Sequence, residues 1–520
     1  MERKLNSKKE APGQSAPAFF DEKTENFLLF RDVIQKYKPI SVFGRKAFLR
    51  LKPLGSEELK EHFNFLSKIK RCENDRLRIE HILEDFHEVV ESLKMIEIGR
   101  ATQVDLFELK RFVHHHALLK SLIQKHIPDY LHSLDDLWRI LDPQNSGSYA
   151  FAPQNQEISI LTKKCESIQF EISKLYHERA EEIKFRFGIL PKDKRFIINR
   201  RDAKILLNSD LVMVEREGIK SYTFIIRPTD KILALEDELL NLENQLKDAQ
   251  NQEVKRLIKE VAKHTDRIRN EIIKIADLDI AFAQLRSLRD KLVFPEFDSR
   301  IDLKDAFHPL ILESVKLDGF EYTPLTGSFQ KGLTMIFGPN MGGKTTTLRT
   351  VGLVCAMAMY GFLVPTCQAT VPQIDWIRYI GITPGVDGLS GFATQITAMA
   401  ETFNMKGRGL ILVDEFGVGT NPYEGEALAT ALADTLAKSS NFSIMVTHYR
   451  KAIESVKCKK YTMGRLNFDG KISAENVRAK IDHHLVNGAV TKLGDAIKLS
   501  EILGLPNEVI KKARKILDNK

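Results

Sequence analysis

Gly338-Pro339-Asn340-Met341-Gly342-Gly343-Lys344-Thr345 spells G-x-x-x-x-G-K-[ST], a spacing whose chemistry is legible before any fold is known. Its glycines let the backbone curl until several N–H groups converge on phosphate oxygens. Lys344 then neutralises the β- and γ-phosphates, the Thr345 hydroxyl ligates Mg²⁺, and Thr346 follows as a further nucleotide-binding residue. Farther along, Leu410-Ile411-Leu412-Val413 runs into Asp414-Glu415. Asp414 is placed to hold Mg²⁺ through water, and Glu415 to orient and deprotonate an attacking water. Ile444-Met445-Val446-Thr447 ends on His448, where a γ-phosphate sensor would stand. Lys344, Glu415 and His448 are the candidate catalytic set. ATP and Mg²⁺ are the expected cofactors, and hydrolysis is the expected reaction.

A phosphate cradle works at a strand-to-helix turn, where the helix N-terminus points at the anion. Leu333-Thr334-Met335-Ile336-Phe337 predicts the strand, and Thr345 to Tyr360 the helix. From Asp302 onward, short apolar strands, Gly-rich turns and intervening helices predict a parallel sheet covered by helices.

Upstream the pattern is helical. Residues 1–20 read as a disordered tail, rich in Lys, Ser, Pro and Gly. Residues 21–154 read as a helical core, with apolar positions at three- and four-residue spacings over Leu51 to Ile69 and Arg76 to Ile96. Pro143 and the polar run Gln144 to Ser148 mark a break. Over 155–298 two long helices are interrupted by Arg195 to Asn199 and Tyr222 to Ile226, which are β-branched and aromatic and predict strands. Ile232, Leu235, Leu239, Leu242 and Leu246 alternate steps of three and four, as a coiled-coil seam does. The segment reads as a long arm with a β-rich tip at about 190–230, or as two ordinary helices packed in a globular domain. Residues 299–520 hold the phosphate-binding residues.

The P-loop, Asp414-Glu415-Phe416-Gly417-Val418-Gly419-Thr420 and Thr447-His448-Tyr449 together resemble the ATPase motifs of the mismatch-repair MutS family. His308-Pro309 resembles that family's entry to the domain, and Gly504-Leu505-Pro506 with Val509 and Ala513 its last helix. The resemblance implies a multidomain α and α/β protein: a helical lever core with a long coiled-coil arm and a β-rich clamp tip, followed by an ABC-type P-loop ATPase domain. It also implies that Asn340 contacts the nucleotide, that Phe320 stacks on adenine, and that Ser390 is the signature serine reaching the γ-phosphate of a partner subunit. The partner would be a second MutS-like chain, in a homo- or heterodimer. Gln395 departs from the family's usual Glu, and Val418 from a common Arg. Phe20-Asp21-Glu22 and Phe86-His87-Glu88 match the family's mismatch-reading Phe-x-Glu tripeptide, but neither has a wedge domain around it, so mismatch reading is not expected.

Two functions follow from the resemblance. One is an ATP-gated dimeric clamp on DNA, in mismatch-repair or recombination-type transactions, with the tip cations Lys192, Lys194, Arg195, Arg200, Arg201 and Lys204 near phosphates. The other is a chaperone-like ATPase that reactivates an adenosylcobalamin-dependent lysine or ornithine aminomutase. Thr420-Asn421-Pro422-Tyr423-Glu424-Gly425 and Gly494-Asp495-Ala496-Ile497 resemble that short branch of the family. A net charge of +8 neither demands nor forbids nucleic acid. The five cysteines form no C-x-x-C pair and the start is polar, so a cytoplasmic protein with no membrane partner is expected. His114-His115-His116 and His483-His484 point in different directions along their elements, so no metal site is expected there.

Overall fold

The computed structural model describes residues 18–143, 151–339, 342–381, 389–463, 465–466, 481–488, 497, 500–501 and 504–518. Most of the expected N-terminal tail, the break after Pro143, Asn340, Met341, Gly494-Asp495-Ala496 and the side chain of Ser390 lie outside the described residues. The chain forms two compact units, one from residues up to Glu84 together with Ile275 onward, the other from Asp85 to Lys274. This division follows packing and not order along the chain, so the segments 21–154 and 155–298 are each shared between the units.

The first unit begins with α1 Glu22–Leu28, α2 Phe30–Ile34, α3 Val42–Phe48, α4 Ser56–Ile69 and α5 Arg76–Glu84. Asp21 starts α1 by accepting the Thr24 N–H at 2.7 Å. Phe20 stacks on Tyr360 with ring planes 6° apart, so the tripeptide beginning there serves packing and helix capping.

The second unit holds α6 Val90–Glu97, α7 Gln103–Ile123, α8 Asp135–Leu141, α9 Gln156–Phe187, β1 Arg195–Asn199, β2 Val212–Glu217, β3 Ser221–Ile226, α10 Asp230–Ala262 and the start of α11 Thr265–Arg286. Phe86 is buried there against Phe112. Asn155 and Thr229 cap α9 and α10, and Gly188 ends α9 in a left-handed conformation. Leu242 and Leu246 pack with Ile158 and Leu161 of α9, whereas Ile232, Leu235 and Leu239 pack with Ile172, Tyr176, Ala180 and Ile183. The two long helices are therefore antiparallel neighbours, and the seam read from α10 faces α9. The antiparallel strands take the order β1-β3-β2. β2 escaped sequence reading because only Val212 of its six residues is buried and its end is charged.

Back in the first unit come β4 Glu296–Phe297, β5 Ile301–Ala306, α12 Pro309–Leu317, β6 Leu325–Phe329, β7 Gly332–Phe337, α13 Lys344–Met359, β8 Gln368–Val371, β9 Trp376–Ile380 and α14 Leu389–Phe403. They are followed by β10 Gly409–Asp414, α15 Pro422–Ala437, β11 Phe442–Val446, α16 Arg450–Ser455, β12 Lys459–Thr462, β13 Arg465–Leu466, β14 Ile481–Asp482, β15 Val486–Asn487 and α17 Asn507–Asp518. The main sheet runs β15-β12-β7-β11-β10-β9, with only β15 antiparallel to its neighbour. β7 and β11 are buried along their whole length, as continuous apolar strands between two helical layers must be. The open edge of β9 is covered by the N-terminal segment: Ile377 N–H donates to the Phe19 carbonyl at 2.9 Å, and Arg378 donates to the Ala18 and Phe19 carbonyls. Among the described residues no helix is long and apolar enough to cross a membrane, and all five cysteines are free.

His308 locks this arrangement from inside. It is fully buried before Pro309, and its Nε2–H donates to the Leu28 carbonyl at the end of α1, 3.0 Å away. Burial lowers its pKa to about 4. The unfolded chain takes up a proton here near pH 6.5 that the folded chain refuses until about pH 4, so stability is full above pH 6.5 and falls as pH drops through that window, by about 3 kcal/mol in all. Denaturant unfolding of His308→Gln, which keeps an N–H donor and cannot titrate, is expected to lose correspondingly less stability than wild type between pH 7 and pH 4.

Candidate nucleotide site

Three neighbouring parallel strands end at one place. β7 runs into Gly338, β10 into Asp414-Glu415, and β11 into Thr447-His448. Thr447 N–H donates to the Ile336 carbonyl, and Glu415 N–H to the Val446 carbonyl at 3.1 Å, so the strand ends are tied together. Sequence reading of all three strands and of the helix after the loop agrees with these elements to within two residues.

The side chains expected to act are brought together. Lys344, 5% exposed, donates from Nζ to the Gly338 and Pro339 carbonyls at 2.9 Å each. Thr345 Oγ1 donates to Asp414 Oδ2 at 2.9 Å. His448 Nε2 stands 3.0 Å from Glu415 Oε1. Gly342 and Gly343 precede α13, and Thr346 is half-buried in its first turn. Ser390 lies in the first turn of α14. Phe320 is exposed beyond α12, and no contact described here joins it to the loop.

The electrostatics follow from burial. Desolvation lowers the pKa of Lys344, against the pull of Glu415 and Asp414. Desolvation raises that of Asp414 and Glu415 adds to the rise, while the Thr345 and Tyr379 hydroxyls and Lys344 oppose it. Glu415 is held below the ordinary range chiefly by its bond to His448. Glu415 also has φ of +52°, a left-handed conformation that costs a non-glycine residue roughly 1–2 kcal/mol. That turn swings its carboxylate away from the line of β10 and onto His448. Downstream, Gly417 N–H donates to Gln395 Oε1 at 3.3 Å, and Tyr449 Oη donates to the Gly417 carbonyl. Gln395, departing from the family's Glu, is thus a buried brace between α14 and the loop after Glu415.

Sequence reading missed residues that carry no motif. His483, set aside as half of a His-His pair, donates from Nδ1 to the Gly342 carbonyl at 2.9 Å. It hangs between β14 and β15, and β15 pairs with β12 beside β7. Met463 lies under the loop, with the Thr347 hydroxyl on its sulfur. Nothing in the local sequence of either residue signals this. Asn421, by contrast, caps α15 with Pro422 at its first position, so Thr-Asn-Pro is accounted for as a helix start.

Lys344, the Thr345 hydroxyl and the N-terminus of α13 are the groups that a polyphosphate would use. Gly338 has φ of +146°, and a Cβ there would lie 2.0 Å from the Met463 carbonyl oxygen. No group of three His, Cys, Asp or Glu side chains among the described residues could hold a metal alone. A Mg²⁺ at Thr345 and Asp414 would therefore depend on phosphate oxygens and water for its remaining ligands. Gly338→Ala is expected to cost about 3 kcal/mol or more and to abolish nucleotide retention. Gly99→Ala also has positive φ but meets nothing within 4 Å, and should cost only about 1 kcal/mol. Thermal melts of the two variants check this contrast.

Comparison with known proteins agrees with this geometry. Residues 334–519 match the family profile described as MutS domain V. The chain is 32% identical over 279 residues to an endonuclease MutS2 of Caldanaerobacter subterraneus subsp. tengcongensis, a match covering 50% of this chain and 33% of that protein. The match thus spans about a third of the relative's length. The part of the chain that bears the P-loop helix, Asp414, Glu415 and His448 is thus similar to MutS domain V.

Proposed function

We infer that this MutS-like chain binds Mg·ATP, hydrolyses it, and acts with a second MutS-like subunit as an ATP-gated clamp on DNA. The observation that carries the hydrolytic reading is the Glu415–His448 pair, 3.0 Å apart at adjoining strand ends and beside Lys344. Lys344, Thr345 and Asp414 would hold Mg·ATP, the metal's part being to neutralise phosphate charge. Glu415, kept ionised by His448, takes a proton from the attacking water, and His448 fixes the direction of that carboxylate.

The clamp reading draws on the paired helices α9 and α10 and on their β tip. The tip charges temper it. Lys194 is paired with Glu236, Arg195 with Glu215, and Arg200 with Glu217. Lys192, Arg201 and Lys204 are exposed and remain as the candidates for phosphate contact. The endonuclease in the relative's name is not carried over, because the match covers a third of that protein. No observation in the structure favours the aminomutase-reactivation alternative.

Glu415→Gln should retain ATP with near-wild-type affinity and turn over 100-fold or more slowly, by the usual scale of general-base loss, about 10²–10⁴. Unchanged turnover removes Glu415 from this role. Filter binding of duplex DNA at low salt tests the clamp. Replacing Lys192, Arg201 and Lys204 with Ala should weaken binding and flatten the log–log salt slope by about 3 per chain. No binding at low salt would sink the DNA reading and leave the ATPase reading standing.

A further inference from the structure

Glu415 bends out of its strand at positive φ, and such a turn persists only where its surroundings hold it in place. Two residues on, Gly417 is gripped from both sides. Its N–H donates to Gln395 Oε1 of α14 at 3.3 Å, and its carbonyl accepts from the Tyr449 hydroxyl at 3.0 Å. Tyr449 directly follows His448, and its own N–H donates to the Thr447 hydroxyl at 3.1 Å. The phenol therefore ties the loop that carries Glu415 to the segment that carries His448, and those two side chains meet at 3.0 Å.

The backbone is bared where the hydroxyl sits. A Cβ on Gly425, in the first turn of α15, would lie 2.5 Å from the Tyr449 hydroxyl and 2.5 Å from the Gly417 carbonyl oxygen. In return, a Cβ on Gly417, whose φ is +87°, would lie 2.9 Å from the Gly425 carbonyl oxygen. Gly425 closes the Thr420-Asn421-Pro422-Tyr423-Glu424-Gly425 run, so that glycine is the floor on which loop and phenol meet. The ring packs against the apolar core that contains Ala429 of α15 and Ile453 of α16. Phenylalanine would serve that packing as well. The hydroxyl adds only the bond to the loop. We propose that Tyr449 is a positioning residue for hydrolysis: by holding Gly417 against Gln395 it keeps the turn at Glu415 closed and the Glu415 carboxylate on His448. This rests on the ATPase reading above.

Tyr449→Phe keeps the ring and removes the hydroxyl. Its kcat for ATP is expected to fall about 5–10-fold, the scale of one net hydrogen bond, with KM and affinity for a fluorescent ATP analogue close to wild type. Amide hydrogen exchange of the nucleotide-free protein reads the same contact without turnover. The peptide over residues 415–420 should exchange faster in the variant, while β7 and α13 exchange as in wild type. In a Glu415→Gln background, Tyr449→Phe should lower the residual turnover no further, because the phenol acts through that carboxylate. Unchanged kcat, or unchanged exchange over 415–420, overturns the assignment. A further loss in the Glu415→Gln background, or a change confined to KM, also overturns it and marks a role in folding or nucleotide binding. Wild-type protein that hydrolyses no ATP would instead sink the ATPase reading and this inference with it.

Discussion

A buried ammonium and a half-buried carboxylate at the ends of parallel strands are the constraint on which the candidate nucleotide site depends. Lys344 and Asp414 have both been taken out of water, and each is pushed toward its neutral form by that burial. Desolvated charges are tolerated only where geometry supplies compensating dipoles and counter-charges. The compensation here is specific: two loop carbonyls for Lys344, and the Thr345 hydroxyl for Asp414. It requires β7, β10 and β11 to end together, which in turn requires the continuous apolar strands and the helices that cover them.

The same logic sets the two acidic neighbours apart. Asp414 follows the strand line inward, whereas Glu415 breaks from it at positive φ and meets His448. Adjacent residues with the same functional group thus acquire opposite pKa shifts, one raised by burial and one lowered by an imidazole. One backbone turn separates a residue suited to holding a cation from one suited to accepting a proton.

Much of this was legible in the sequence, because glycine spacing, strand-end carboxylates and apolar runs are local signals. The P-loop residues, Asp414, Glu415 and His448 needed only their neighbours to be recognised, and the leucine seam of α10 announced its own buried face. What escaped was long-range. Periodicity says that a helix buries one side, and not against what. So nothing revealed that Phe27 would lie on Tyr379, that His483 would reach Gly342, or that Gln395 would brace Gly417. The tip cations were misleading for a related reason: a count of basic residues does not show that Glu215, Glu217 and Glu236 already occupy three of them.

The N-terminal cover of β9 has a consequence for how the chain is made. Lys23 and Gly381, which bond to each other, stand 358 positions apart. At ribosomal speeds of roughly 5–20 residues per second, the first of these leaves the ribosome roughly 20–70 seconds before the second. Through that interval Phe19, Phe20, Phe27 and Phe30 have no sheet to settle on, since α13, β9 and Tyr360 are still unmade. The nascent protein must carry a sticky aromatic segment through that interval, a hazard that holdase chaperones exist to shield.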